Sequence, residues 1–301
     1  MHHHHHHGGS GKSARGIGEK IGSPGFTLME LLIAMLVGLM AVGAVYGVYS
    51  TQLRGHRHHQ VLLELQQNLR GAMVIMEQQI RMAGFDPDRS GAFGITDVRR
   101  YSLVGTQPDV DGMPGFFYTL DLDEDGVRDP RNGYRNREHC NFRIRHDDGA
   151  GRWFLAWDNG MGRHPVAENV RVMVLAYAVD RDGDGRLDRW QGGPHVIWAV
   201  DSTNDNMLDT HLDVNNDGVI DLRDFADGAV RIGAVGGSAI VPPIPIDRIR
   251  AVRVWLLAES RRPVRGHADI GTYVVGDRLI CGNGDGHLRR VVETVIECRN
   301  L

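Results

Sequence analysis

Between Phe26 and Tyr49 the chain is almost wholly apolar, and one acidic residue, Glu30, interrupts the run near its start. About 20 apolar residues are needed to cross the hydrocarbon core of a bilayer as a helix. This run meets that length, so whatever follows is expected to fold at a membrane surface. A lone carboxylate inside such a segment is costly, and where one occurs it marks function and has a partner. A cut between Gly25 and Phe26 would create a free α-ammonium able to meet Glu30, in its own chain or a neighbour's. The plainer alternative is an ordinary N-terminal anchor in which Glu30 is incidental.

Gly25-Phe26-Thr27-Leu28-Met29-Glu30 ahead of that run resembles the type IV prepilin signal. The resemblance implies that a prepilin peptidase cleaves after Gly25 and methylates Phe26. It also implies that the apolar helix stays on the protein as the packing core of a filament, with Glu30 serving assembly. A secretory signal peptide differs, because its cut falls after the apolar region, behind small residues. Here Lys12, Arg15 and Lys20 precede the run and would hold a leader in the cytoplasm. His2 to His7 with the following Gly-Gly-Ser look like a purification tag and carry no native information.

The formal net charge is -4, and cleavage before Phe26 would make the chain more acidic still. That argues against a general nucleic-acid binder. Three cysteines, Cys140, Cys281 and Cys298, would lie on the extracytoplasmic side, where disulfides persist. Three pairings are open; Cys281–Cys298, flanking the last expected strand, is favoured, with Cys140 left over and buried or paired between subunits. A bridge closing that span would contribute about 3 kcal/mol in the chain-entropy model.

Leu62, Leu65, Leu69, Met73, Met76 and Ile80 recur at three- and four-residue steps, which predicts an amphipathic helix over about 51–85 continuing the apolar one of 26–50. Gly84 and Pro87 stop it. Beyond 86 the pattern turns to strands. Asn141–Ile144 and Trp153–Trp157 read as a hairpin, and Val170–Val179, His195–Val200, Ile249–Leu257 and Leu288–Cys298 as further strands. Both faces of 249–257 are mostly apolar, so that strand is expected to be buried on both sides. The fold class is α+β: a long N-terminal helix packed on an antiparallel sheet, with one β-rich domain over 86–301 after the leader of 1–25.

Several patches are similar to the PilW-type minor pilins: Arg81-Met82-Ala83-Gly84-Phe85, the stretch from Glu168 to Gly185, Ile249 to Leu257, and the ending from Arg289 to Leu301. Partners implied by the resemblance are other minor pilins and the major pilin, a PilY-type tip adhesin, the prepilin peptidase and the inner membrane.

Three loops have calcium-ligand spacing. Asp121, Asp123, Asp125, Gly126 and Asp129 form the first, with the Val127 carbonyl at the seventh position. Asp180, Asp182, Asp184, Gly185 and Asp188 form the second, with Arg186 at that position. Asp213, Asn215, Asp217, Gly218, Val219, Asp221 and Asp224 form the third. Ca²⁺ takes six to eight oxygens, alternate residues of a tight loop point theirs inward, and a twelfth-position acid closes the sphere. Only the third loop has that acid, Asp224; Asn132 and Gln191 stand there in the others, so the third loop is the favoured site. Asp201, Asp205 and Asp209 look like a decayed fourth copy with Asn206 in the glycine's place. Acidic solvated turns are the bland alternative, since Asp and Gly are common turn formers.

His56, His58 and His59 lie just beyond the apolar run. His56 and His59 are a helical metal pair by spacing, but a solvated face near headgroups is the reading preferred. Trp153, Trp157, Trp190, Trp198 and Trp255 are expected mostly in the core. No nucleophile elbow, P-loop, zinc cluster or dinucleotide fingerprint stands out, so no enzyme is expected. The leading reading is a minor pilin that initiates or caps a type IV pilus, held in the inner membrane as a precursor and later at the pilus tip. The alternatives are a J-type pseudopilin of type II secretion and a calcium-stabilised tip adhesin.

Overall fold

A computed structural model describes residues 25–101, 112–129, 138–147, 149, 151–225 and 237–301. The tag, the leader residues Lys12, Arg15 and Lys20, and Asn132 lie outside the described residues, as do the side chains of Arg54, His56 and Arg57. One helix, α1, runs Leu28–Arg81. The chain divides at Gly55 into two compact units.

In the first unit α1 is apolar over the 25 residues Leu28–Gln52, long enough to cross a membrane by length and composition. At about 1.5 Å per residue such a segment exceeds the roughly 30 Å hydrocarbon core. Its large side chains, Leu31, Ile33, Leu36, Met40 and Val45 among them, are all exposed. A surface of this kind is stable only in lipid or against other apolar helices.

In the second unit, the rest of α1 buries Leu65, Leu69, Ala72, Met76 and Ile80, followed by Ala83. Ala72 replaces the expected Met73 at the centre of the stripe, because steps of four, three, four and four follow the 3.6-residue turn more closely. Gly84, at φ 74°, leaves the helix and donates its N–H to the Thr119 carbonyl at 2.9 Å.

Fifteen strands follow among the described residues: β1 (Ile95–Asp97), β2 (Arg100–Tyr101), β3 (Met113–Pro114), β4 (Phe116–Thr119), β5 (His139–Asp147), β6 (Arg152–Asp158), β7 (Arg163–Glu168), β8 (Val170–Val179), β9 (Ala199–Val200), β10 (Met207–His211), β11 (Ser238–Pro245), β12 (Ile249–Glu259), β13 (Thr272–Val275), β14 (Arg278–Cys281) and β15 (Arg289–Glu297). They form a five-stranded sheet, β1-β4-β5-β6-β7, a six-stranded sheet, β11-β10-β9-β8-β12-β15, and two two-stranded sheets. The main sheets are antiparallel throughout.

The expected hairpin is β5–β6, with Asn141 opposite Asp158 and Asp147 opposite Arg152. β8 and β12 pair along nearly their whole length, and both faces of β12 are buried as the sequence predicts. α1 and both main sheets contribute to one core with Trp255, Tyr177, Phe116 and Phe142 at its centre. Trp198 and Trp255 are buried, and the other three tryptophans pack partly buried against that core.

The Cys281–Cys298 bridge is not formed, and no cysteine is in a disulfide. The two cysteines close different ladders: Cys281 ends β14 opposite Thr272 of β13, and Cys298 follows β15, whose partner is β12. A disulfide needs Cα atoms about 4–7 Å apart. Cys140 is buried, as preferred; burial pushes its thiol up to about 11 and that of Cys298 to about 12.

Candidate functional site

Each aspartate loop begins within two residues of a strand's end. Asp121 follows β4, Asp180 follows β8, Asp201 follows β9 and Asp213 follows β10. All four leading aspartates are buried, from 0 to 4 % exposed. The strands set them at the ends of inner strands of the two main sheets, where the chain must reverse and its N–H groups need acceptors.

The loops share one backbone. The fourth residue has positive φ in each: Glu124 (60°), Gly183 (74°), Asn204 (66°) and Asn216 (55°). So does the sixth: Gly126 (69°), Gly185 (80°), Asn206 (66°) and Gly218 (84°). Asn206 therefore stands in the glycine's place, as expected of the fourth copy. At Gly218 space as well as φ demands glycine, since a Cβ there would meet His195 Nδ1 at 2.6 Å.

The hydrogen bonds repeat too. One carboxylate oxygen of each leading aspartate accepts the sixth residue's N–H, at 3.1 Å for Asp121, 3.0 Å for Asp180, 2.8 Å for Asp201 and 2.8 Å for Asp213. The fifth residue's carboxylate accepts the seventh residue's N–H in every loop, on Asp125, Asp184, Asp205 and Asp217.

A further acid closes each loop by accepting the second residue's N–H. In the third loop it is Asp224, which takes Val214 and Asn215 on one oxygen and Asp221 on the other. In the second it is Asp188, which also holds the Arg181 guanidinium at 2.5 Å. In the fourth it is Asp209, which accepts N–H and hydroxyl of both Ser202 and Thr203. Burial would push Asp209 up, but those donors hold it down at about 2.

In the first loop the closing acid is Glu138, at the entry to β5. Its Oε1 accepts from Leu122 N at 3.3 Å and its Oε2 from Asp129 N at 2.7 Å, the counterparts of Val214 and Asp221. Glu138 is 2 % exposed; burial, with Asp129 and Asp123 nearby, raises its carboxyl above the usual range. No fixed spacing marks Glu138 in the sequence, because it comes from the turn before the next strand and not from the loop.

The second oxygens of the leading aspartates differ. Oδ1 of Asp180 accepts from Gly183, that of Asp201 from Asn204 and Asp205, and that of Asp213 from Asp217. Oδ1 of Asp121 is buried with no donor among the described residues.

Among the described residues, three acid groups bring carboxylate oxygens within 4.8 Å of one another: Asp121, Asp123 and Asp125; Asp180, Asp182 and Asp188; Asp201, Asp205 and Asp209. Such oxygen sets fit a hard divalent cation. The favoured third loop is not among them. Asp221 and Asp224 form a reciprocal cap on the short turn Leu222–Asp224, and the Arg223 guanidinium holds Asp217 at 2.9 Å and Asp221 at 2.6 Å.

At the other candidate site, Thr27 caps α1. Its N–H and hydroxyl both donate to Glu30 Oε2 at 3.0 Å, and Glu30 N–H donates back to Thr27 Oγ1 at 3.2 Å. This is a capping box, a local role for Glu30 that the reading of the prepilin signal passed over although Thr-x-x-Glu was visible. Gly25 and Phe26 precede it and are exposed. His59 is exposed, while the His58 ring lies 5.6 Å from that of His267.

Among solved structures the chain is similar to the type IV-like pilin TTHA1219 from Thermus thermophilus. The identity is 16%, the TM-score 0.36, and the match covers 79% of this chain and 97% of that one. No protein-family model matches the chain, and no curated protein does.

Proposed function

We propose that this chain is a filament subunit of the minor-pilin kind, which helps to initiate or cap a type IV pilus. The observation that carries the reading is α1: a wholly exposed apolar segment opening on Gly25-Phe26 with Glu30 one turn inside. Exposed apolar surface of that extent calls for lipid before assembly and for neighbouring helices after it. Cleavage between Gly25 and Phe26 leaves a methylated α-ammonium. Glu30 uses only Oε2 in its cap, and Oε1 is directed to the ammonium of a neighbouring subunit, which lowers the cost of a charge in an apolar bundle.

The precursor sits in the inner membrane with its β-rich unit periplasmic, and the mature subunit lies at the pilus tip. Its partners are other minor pilins, the major pilin and a PilY-type adhesin. The role is structural and not enzymatic, and the aspartate loops take calcium as a structural ion that neutralises clustered carboxylates. A J-type pseudopilin would share all of these residues.

Mass spectrometry of sheared surface filaments tests the proposal. A methylated peptide beginning at Phe26 is the expected result. Processed chain confined to the membrane fraction would favour the secretion pseudopilus, and an uncut Gly25–Phe26 bond in cells containing the peptidase would overturn the pilin reading.

A further inference from the structure

The four loops differ at one atom that matters for a cation. In three of them the protein's own N–H groups satisfy both oxygens of the leading aspartate. In the first, Asp121 is 0 % exposed, its Oδ2 is held by Gly126 N–H, and its Oδ1 has no donor among the described residues. A buried carboxylate oxygen without a donor is destabilising unless a positive charge meets it. The same carboxylate lies within 4.8 Å of those of Asp123 and Asp125, which reach in from the exposed side of the loop.

No guanidinium or ammonium forms a salt bridge with Asp121, Asp123 or Asp125 among the described residues. The second loop, by contrast, has Arg181 on Asp188, and the third has Arg223 on Asp217 and Asp221.

We propose that the Asp121 loop is the chain's tightest divalent-cation site, with Glu138 as the closing acid in place of the twelfth residue of the loop. The inference rests on the reading that the aspartate loops take calcium, and it names which loop and which ligands. Asp121, Asp123 and Asp125 supply side-chain oxygens and Val127 its carbonyl, as alternate positions of such a loop do. Glu138 is held at the loop's second and ninth residues by the N–H groups that hold Asp224 in the third loop. Three carboxylates within 4.8 Å of one another, with Glu138 beside them, favour Ca²⁺, which tolerates many charged oxygens, over Mg²⁺, which keeps its own waters. Closing through Glu138 ties β4 to β5 across the chain between them.

The test is calorimetric titration of Ca²⁺ into the metal-stripped full chain in detergent, with Asp123→Asn, Glu138→Gln and Asp224→Asn beside it. Asp123 is exposed and makes no hydrogen bond, so its variant removes a ligand without disturbing the fold, and a melting curve in chelator verifies this. The expected result is a tightest site weakened roughly tenfold or more by Asp123→Asn and by Glu138→Gln, and unchanged by Asp224→Asn. Loss of that site only in Asp224→Asn overturns the assignment in favour of the third loop. Loss in Asp123→Asn but not Glu138→Gln removes Glu138 from the site. Absence of any calcium heat in the wild-type chain overturns the calcium reading itself, and leaves the pilin reading untouched.

Discussion

The Asp121 and Asp213 loops share spacing and backbone, yet they treat charge in opposite ways. The Asp213 loop carries every acid that a calcium loop asks for, and it spends them on itself: Asp224 on three N–H groups, Asp221 on its cap and on Arg223. The Asp121 loop lacks the twelfth-position acid, borrows Glu138 from the turn before β5, and leaves Asp121 Oδ1 without a donor among the described residues. A ligand pattern in sequence therefore counts oxygens, while a site depends on which oxygens the protein leaves unsatisfied.

The strongest way to break this comparison is to strip a cation that the protein supplies. Arg289, only 8 % exposed, bridges Asp269 at 2.8 Å, Asp285 at 2.5 Å and Glu259 at 3.3 Å. Arg289→Ala leaves the buried Asp269 without its cation, while Glu259 keeps Arg171 and Asp285 lies exposed, and should cost about 3 kcal/mol, read from denaturant melts. It should also make the cluster responsive to added calcium, as we propose for the Asp121 loop. A variant as stable as wild type would show that unpaired carboxylates there are cheap, which weakens the argument for Asp121.

Next in size is the direct contrast, measured in chelator. Asp213→Ala removes the acceptor of two N–H groups, those of Asp217 and Gly218, and should cost about 2–3 kcal/mol. Asp121→Asn keeps an acceptor for Gly126 and removes an unopposed charge, so its melting point in chelator should match or exceed wild type and fall below it in calcium. Equal losses for both variants in chelator would erase the distinction between the loops.

A smaller effect follows from pH. The Arg289 guanidinium beside Asp285 holds that carboxyl down at about 2, against 3.8 ordinarily. A depressed folded pKa stabilises the fold above the unfolded value and is lost as pH falls through the folded one, here between about pH 4 and pH 2. The shift alone would correspond to about 2 kcal/mol, and solvent screening of a partly exposed pair reduces this to about 1 kcal/mol. Melts across that window should show the loss in wild type and its absence in Arg289→Ala. An acid limb unchanged by the substitution would assign the loss to other carboxylates.

Much of this was legible in the sequence for reasons of period. The apolar run, the stripe from Leu65 to Ile80, the doubly buried Ile249–Leu257 strand and the aspartate spacing all repeat at distances that local geometry sets. What stayed hidden depended on separation in space. Glu138 reaches the Asp121 loop from another strand, and Arg223 neutralises its neighbours through a rotamer. The cysteine pairing failed for the same reason, since Cys281 and Cys298 close different ladders whose placement only the folded sheets set.

The smallest prediction concerns the fourth position of the loops. Three of them place Gly183, Asn204 or Asn216 at positive φ, and the first places Glu124 there at 60°. A side chain of that kind in the left-handed region costs roughly 1 kcal/mol, whereas asparagine tolerates it better. Glu124 is exposed, so Glu124→Asn should stabilise the chelated protein by about 0.5 kcal/mol, a rise of one or two degrees at most in melting temperature. Asn216→Glu in the third loop should cost a similar amount. If neither moves, the turn conformation is held by the leading aspartates alone, and strain at this position is no part of what separates the two loops. If Glu124→Asn instead weakens calcium binding while raising stability, the side chain of Glu124 belongs among the acids that attract the ion.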